Sequence, residues 1–473
     1  MLRKFITDSY LAISFFLLIA ALYLNEKQRD NIESLAVQAV SIEFSLRVVL
    51  NFAFLILFLV LCSMLLKFTR NTACARKIQL TQFNKLLIST FLAIISIAPA
   101  VVFTSRFQYF ADNFYGLYSI GHQKPNFLDL RAVLSGMGSV NSIGDNFSAA
   151  CPGACVTYGW SYPQFLLDLN FLNISEADTY RFASTFTLLY LLALFAISQN
   201  QISIFFISAW TLTASSILLF ERMNLEILVP TLIILNLYLL QRYPKVLYIL
   251  PITVLFLSNL KFYPLILIPA FLIIYRKGLW WLLYNTLVFA LGVYMLYDDY
   301  LEIGIASVSF GYSGTFGLKT YLGLLSGSNP SFYLHIGIPS LIFIFSAGVL
   351  IRAGFKSNLD INTKLFSDQL FYFGCLLTLA AWVLSSNYQY RMVTVVLLIP
   401  YLATHIRNEP KLLGAIFIGY FTSALTAAVS LAPMRNALFT GASLLLLGVF
   451  ARFTLRNFST PLITSTSREV KDS

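Results

Sequence analysis

The 473-residue chain is 58% hydrophobic and only 11% charged, against about 25% charged residues in an ordinary soluble domain. That leaves too little polar material to cover a globule of this size, which excludes a water-soluble fold. The net charge of +11 comes from short basic clusters between apolar blocks; no basic face with interleaved aromatics is present, which excludes nucleic acid as a partner.

Apolar blocks of about 18 or more residues cross the roughly 30 Å hydrocarbon layer as helices. No alternating barrel pattern is present, so the fold class is an all-α polytopic membrane protein. The pattern predicts about 14 spans, at 8–24, 47–66, 87–104, 180–198, 203–220, 225–241, 246–259, 263–275, 279–297, 336–352, 368–385, 392–404, 412–431 and 437–454. The first follows Met1-Leu2-Arg3-Lys4 much as a signal peptide would. No small-residue cleavage site follows it, so it reads as a retained helix. The segments 246–259, 263–275 and 392–404 reach only about 20 Å and are expected to be broken or to end inside a cavity.

An N-terminus in the cytoplasm puts 20 of the 32 Lys and Arg on the cytoplasmic side, satisfying the positive-inside rule. Both termini are then cytoplasmic, and loops 105–178 and 298–335 face the far side. Three regions follow: 1–86, two helices and a basic loop; 87–456, the main membrane module; and 457–473, a Ser/Thr-rich tail expected to be disordered.

Cys62 and Cys375 lie in apolar spans and read as packing residues. Cys151 and Cys155, in Cys-Pro-Gly-Ala-Cys, have the spacing of a zinc half-site, but no second pair completes it. In an oxidising compartment they are disulfide candidates. His122, His335 and His405 are isolated, and no Walker loop, dinucleotide fingerprint or nucleophile elbow appears. No metal or cofactor is expected.

Charge at a membrane boundary needs a reason, because burying it costs several kcal/mol unless it is paired or hydrated. Asp129, with Arg131 close by in the first long loop, is either a general base or a capped, salt-bridged carboxylate. Tyr158, Trp160 and Tyr162, leading to Pro163, form either an interfacial belt or a platform for the apolar face of a sugar. Glu221, Arg222, Asn224 and Glu226 crowd one hairpin, as a hydrated turn or a site. Lys261, in Lys-Phe-Tyr-Pro before Tyr263 and Pro264, either snorkels to the interface or binds an anion. Arg391, closing Asn387-Tyr388-Gln389-Tyr390-Arg391, offers a phosphate fork or is an ordinary loop cation. The charge-derived topology puts Asp129, Arg222, Asn224, Lys261 and Arg391 on one face.

At these residues the chain resembles the GT-C class of polytopic glycosyltransferases, in particular the polyprenyl-phosphate-mannose-dependent mannosyltransferase-like family and its bacterial relatives. Asp129-Leu130-Arg131-Ala132-Val133 is similar to that family's Asp-Leu-x-x-Tyr segment, without the Tyr. Tyr158 to Pro163 matches its aromatic-Pro entry to a helix, with Gln164 for the second Pro. Arg222-Met223-Asn224-Leu225-Glu226 matches its Gly-Asn hairpin with Met for Gly, and Lys261-Phe262-Tyr263-Pro264 matches its Lys-x-Tyr-Pro. Asn387 to Arg391 also looks like a segment of the bacterial relatives.

The resemblance implies a GT-C-like architecture over 87–456 with a large first outer loop. It also implies sugar transfer, mannose or a similar hexose, from a polyprenyl-phosphate donor to a lipid or glycan acceptor. The site would face outward across the plasma (inner) membrane, with Asp129 as catalytic base and Lys261 near the donor phosphate. Arg131, Tyr158, Trp160, Tyr162, Arg222, Asn224, Tyr263, Asn387, Tyr390 and Arg391 are the expected substrate contacts. The rival readings are a transporter or flippase of lipid-linked sugars and a polysaccharide polymerase or ligase.

Overall fold

The computed structural model describes residues 127–139, 146–148, 157–159, 162–172, 174–198, 201–275, 277–306, 315–318, 321–322, 338–359, 361, 365–384, 387–425 and 432–459. The predicted spans 8–24, 47–66 and 87–104, and with them Cys151, Cys155 and Trp160, lie outside these residues.

The described residues build a helical membrane protein. Its α-helices are α1 (Leu128–Ser139), α2 (Gln164–Asp168), α3 (Thr179–Ile197), α4 (Gln201–Thr211), α5 (Ala214–Arg222), α6 (Leu228–Leu240) and α7 (Leu250–Ser258). These are followed by α8 (Leu267–Ile274), α9 (Leu279–Ala306), α10 (Ile338–Phe355), α11 (Phe366–Leu384), α12 (Ile399–His405), α13 (Pro410–Leu425) and α14 (Ala432–Ser459). Two short antiparallel ribbons pair Asn146–Ser148 with Thr157–Gly159 and Thr315–Phe316 with Asn387–Tyr388.

Among the described residues four helical stretches are long and apolar enough to cross a bilayer: Glu176–Ile197, Leu279–Asp299, Phe366–Val383 and Met434–Arg456. Ile202–Thr211 and Ala214–Arg222, bent by 60°, make a fifth if taken as one broken span. Shorter apolar helices occupy the remaining predicted spans after 180.

The structure departs from the predicted boundaries in three places. The span expected over 203–220 is broken, because Thr213 caps α5 by accepting a hydrogen bond from Ser216 N through its side chain. The short spans expected to be broken each carry a 3₁₀ stretch, at Pro244–Tyr248, Tyr263–Ile266 and Gln389–Leu398. Helix α9 runs on to Ala306, past the predicted loop start at 298. Asp299 is tolerated inside it because its buried carboxylate accepts a hydrogen bond from Gln164 N at 2.9 Å. Helix α14 extends to Ser459, into the stretch read as tail. The first long loop holds α1, a ribbon and α2.

Polar side chains inside these helices satisfy themselves locally. The Ser198, Thr231, Ser258 and Ser423 hydroxyls donate to the carbonyl four residues earlier, as do the amides of Asn259 and Asn285. This lets a nearly continuous apolar helix carry polar atoms where water is absent. Helix α11 is central, whereas α3 and α9 leave Leu188, Leu192, Trp280, Leu287 and Tyr294 exposed on the outside of the bundle. Helices α10 and α14 touch backbone to backbone. A Cβ on Gly354 would stand 2.1 Å from Leu445 O, and one on Gly448 2.1 Å from Ile351 O, so only glycine fits either position. Stacked rings, Phe206 on Phe417 and Phe371 on Tyr401, fill the interior between neighbouring helices.

Candidate functional site

The site lies where helix ends meet. Helix α5 ends at Arg222, and Met223 turns the chain in the left-handed region at φ 47°. Asn224 then caps the short 3₁₀ turn Leu225–Ile227, its side chain accepting from Glu226 N at 3.1 Å. Opposite, Phe127 adopts φ 58° just before α1, and its N–H donates to Glu221 O at 3.1 Å. Among the described residues Phe127 and Met223 alone are non-glycine with positive φ. Such conformations cost of order 1–3 kcal/mol and persist only where the surroundings impose them. Both flank one contact: Asn224 Nδ2 donates to Asp129 Oδ2 at 2.7 Å, and Arg222 pairs with Asp129 Oδ1 at 3.4 Å. Arg222 also pairs with the buried Glu221 at 2.9 Å.

The second half of the cluster centres on Glu226, which is fully buried at 0% exposure. Its Oε1 lies 2.8 Å from Arg391 Nε and 3.8 Å from Lys261 Nζ, and its Oε2 accepts from the Tyr263 hydroxyl at 2.5 Å. Lys261 sits in the turn after α7, just before Tyr263 and Pro264 begin their 3₁₀ stretch. Arg391 lies early in the 3₁₀ run Gln389–Leu398, directly after the ribbon that holds Asn387 and Tyr388.

Tyr162 joins the halves. Lys261 Nζ stands 4.1 Å above its ring, a cation–π contact, and its hydroxyl shares a hydrogen bond with Asn224. Burial, reinforced by the Asp129 carboxylate, pushes the Tyr162 phenol well above its ordinary range, so it stays neutral. Burial pushes the Lys261 ammonium down to about 8, against the opposing pull of Glu226. Asp129 acts on Lys261 too, so the acid and the cation share one electrostatic environment.

Asp129, Tyr162, Arg222, Asn224, Lys261, Tyr263 and Arg391, all singled out by sequence, therefore converge. Arg131 turns elsewhere, pairing with Glu176 at 2.6 Å and facing the Tyr180 ring. Tyr158 lies in the first ribbon, and Asn387 and Tyr390 flank Arg391 by their backbone; the side chains of these three lie outside the described part. Glu226, noted in the sequence only as part of a polar hairpin, is the residue whose importance was missed. Its sole signal was a carboxylate two residues past Asn224, at the start of an apolar helix.

Chemically the cluster offers a carboxylate held by two donors beside a group of cations. Among the described residues it balances Asp129, Glu221 and Glu226 against Arg222, Lys261 and Arg391. The opposite ends of the contributing helices carry the exposed Arg242, Lys245, Lys277, Arg407 and Lys411. Among the described residues no three His, Cys, Asp or Glu side chains are placed to hold a metal ion. Comparison with protein-family models, curated proteins and solved structures gives no match.

Proposed function

We propose that the chain is a membrane glycosyltransferase that moves a mannose-like hexose from a polyprenyl-phosphate donor to a lipid or glycan acceptor. In this reading the scaffold is GT-C-like, with about 14 spans and an extracytoplasmic site in the plasma (inner) membrane. The observation that carries it is the joining of Asp129 to Lys261 and Arg391 through Tyr162, Asn224 and Glu226, at the junction of helix ends far apart in sequence. The exposed basic residues at the other ends of these helices support the outward orientation of the site.

Asp129 takes the proton from the acceptor hydroxyl as that oxygen attacks the anomeric carbon. The bond from this carbon to the phosphate oxygen breaks, its electron pair leaving with the polyprenyl phosphate, and configuration inverts. Lys261 and Arg391 stabilise the negative charge gathering on the leaving phosphate. The ring of Tyr162, already beneath Lys261, offers the sugar a flat apolar surface next to that phosphate. Arg222 and Asn224 hold the Asp129 carboxylate so that its free lone pairs face the acceptor.

The experiment is a transfer assay on the reconstituted chain with a panel of radiolabelled polyprenyl-phosphate sugars, scoring covalent product and translocation separately. New covalent product supports the reading. Movement of intact donor across the bilayer without product overturns it in favour of a transporter.

A further inference from the structure

We propose that Glu226 is the resident counter-anion of the site, a positioning residue that holds Lys261 and Arg391 ready until an incoming phosphate group displaces it from them. This rests on the proposed function only in taking the ligand to carry a phosphate.

Three observations carry it. Glu226 is fully buried, and its Oε1 lies 2.8 Å from Arg391 Nε and 3.8 Å from Lys261 Nζ. The contact to Lys261 is long, and so the more readily exchanged of the two. The other oxygen is fixed by Tyr263, which lets the carboxylate stay when the cations turn away. Finally, the described cluster is charge-balanced, with three acids and three bases. Within this described cluster an added anion gains cations only where a carboxylate gives them up. Asp129 and Glu221 both hold Arg222, while Lys261 and Arg391 both meet Glu226. The exchange therefore falls on Glu226. Without it, the two cations would be buried beside each other with no carboxylate between them.

The test is binding to the purified full-length chain at about pH 6, where Lys261 is charged. One arm uses a short-chain polyprenyl phosphodiester, another inorganic phosphate, and a third the matching polyprenol. Glu226→Gln keeps the shape and the Tyr263 contact while removing the competing charge. It should bind the phosphodiester roughly ten-fold or more tightly than wild type, with the polyprenol unchanged. Gain in both phosphate arms means the anion alone is recognised; gain only with the lipid form means the chain adds to it. Lys261→Ala in the Glu226→Gln background should abolish the gain. If the amide variant fails to insert, Glu226→Asp, which withdraws the carboxylate by one methylene, should show an intermediate gain.

A merely structural glutamate would give weaker binding or none of this pattern. Phosphodiester affinity equal to or below wild type in the intact variants overturns the proposal. Tighter binding with no sugar transfer by wild type overturns the transferase reading and leaves the counter-anion. Transfer without the gain does the reverse.

Discussion

Replacing Asp129 with Asn removes the proton acceptor and changes little else. The amide oxygen can still accept from Asn224 Nδ2, the shorter contact at 2.7 Å. What is lost is the ion pair with Arg222 at 3.4 Å, between side chains 18% and 20% exposed. Arg222 keeps Glu221 at 2.9 Å, so no unpaired guanidinium is left behind. Weakening a partly buried contact to a charged group costs about 1–3 kcal/mol, so the variant should insert and melt only a few degrees lower. Loss of a general base lowers turnover by about 10²–10⁴-fold, or about 3–5 kcal/mol of barrier. The assay pairs single-turnover transfer of a radiolabelled polyprenyl-phosphate sugar with donor affinity and thermal unfolding in the same detergent. The expected result is donor affinity near wild type, a modest melting shift and collapse of the chemical step. Turnover within a few-fold of wild type, in a variant shown to be folded, would remove Asp129 from the proton transfer. Loss of activity wholly explained by lost donor affinity would move it from base to binding residue.

Phosphate affinity should fall as pH rises through about 8, where the Lys261 ammonium loses its proton, and Lys261→Arg should carry that limb to higher pH. The sign for stability is opposite: between about 8 and the ordinary 10.5 the unfolded chain binds more protons than the folded one, so the contribution of this group to stability rises with pH across that window. Gly448→Leu should lower the melting temperature sharply or block insertion, because its Cβ alone would meet Ile351 O at 2.1 Å; Gly414→Ala, with nothing within 4 Å, is the matched control in the same unfolding assay. Arg131→Met breaks a part-buried Glu176 pair, and should lower stability by about 1–3 kcal/mol while leaving turnover of the folded protein nearly intact.

Some of this was readable from local chemistry. Apolar blocks and scarce charge define a helical membrane chain because a lipid-exposed backbone must satisfy itself. Lys261 stood out because a cation between Leu260 and Phe262 has no local reason to be there. The break at Thr213 was less legible. An N-cap threonine within an apolar run looks no different from one that hydrogen-bonds back along an unbroken helix, as Thr231 does to Ile227 O. Asp299 misled in the other direction, marking a helix end until its link to Gln164 N accounts for its burial. Arg131, two residues from Asp129, seemed part of the same site, but positions two apart on a helix do not share a face, and it meets Glu176 instead.

By itself the sequence determined that this chain is a helical membrane protein and which polar residues stand out against an apolar background, because those properties depend on composition and short-range periodicity. Tertiary structure alone decided that Glu226 lies at the centre of Lys261, Arg391 and Tyr263, and that Tyr162 bridges them to Asp129. The reason is that a buried charge is tolerated only through partners reached across space, and those partners come from helix ends that sequence spacing does not connect.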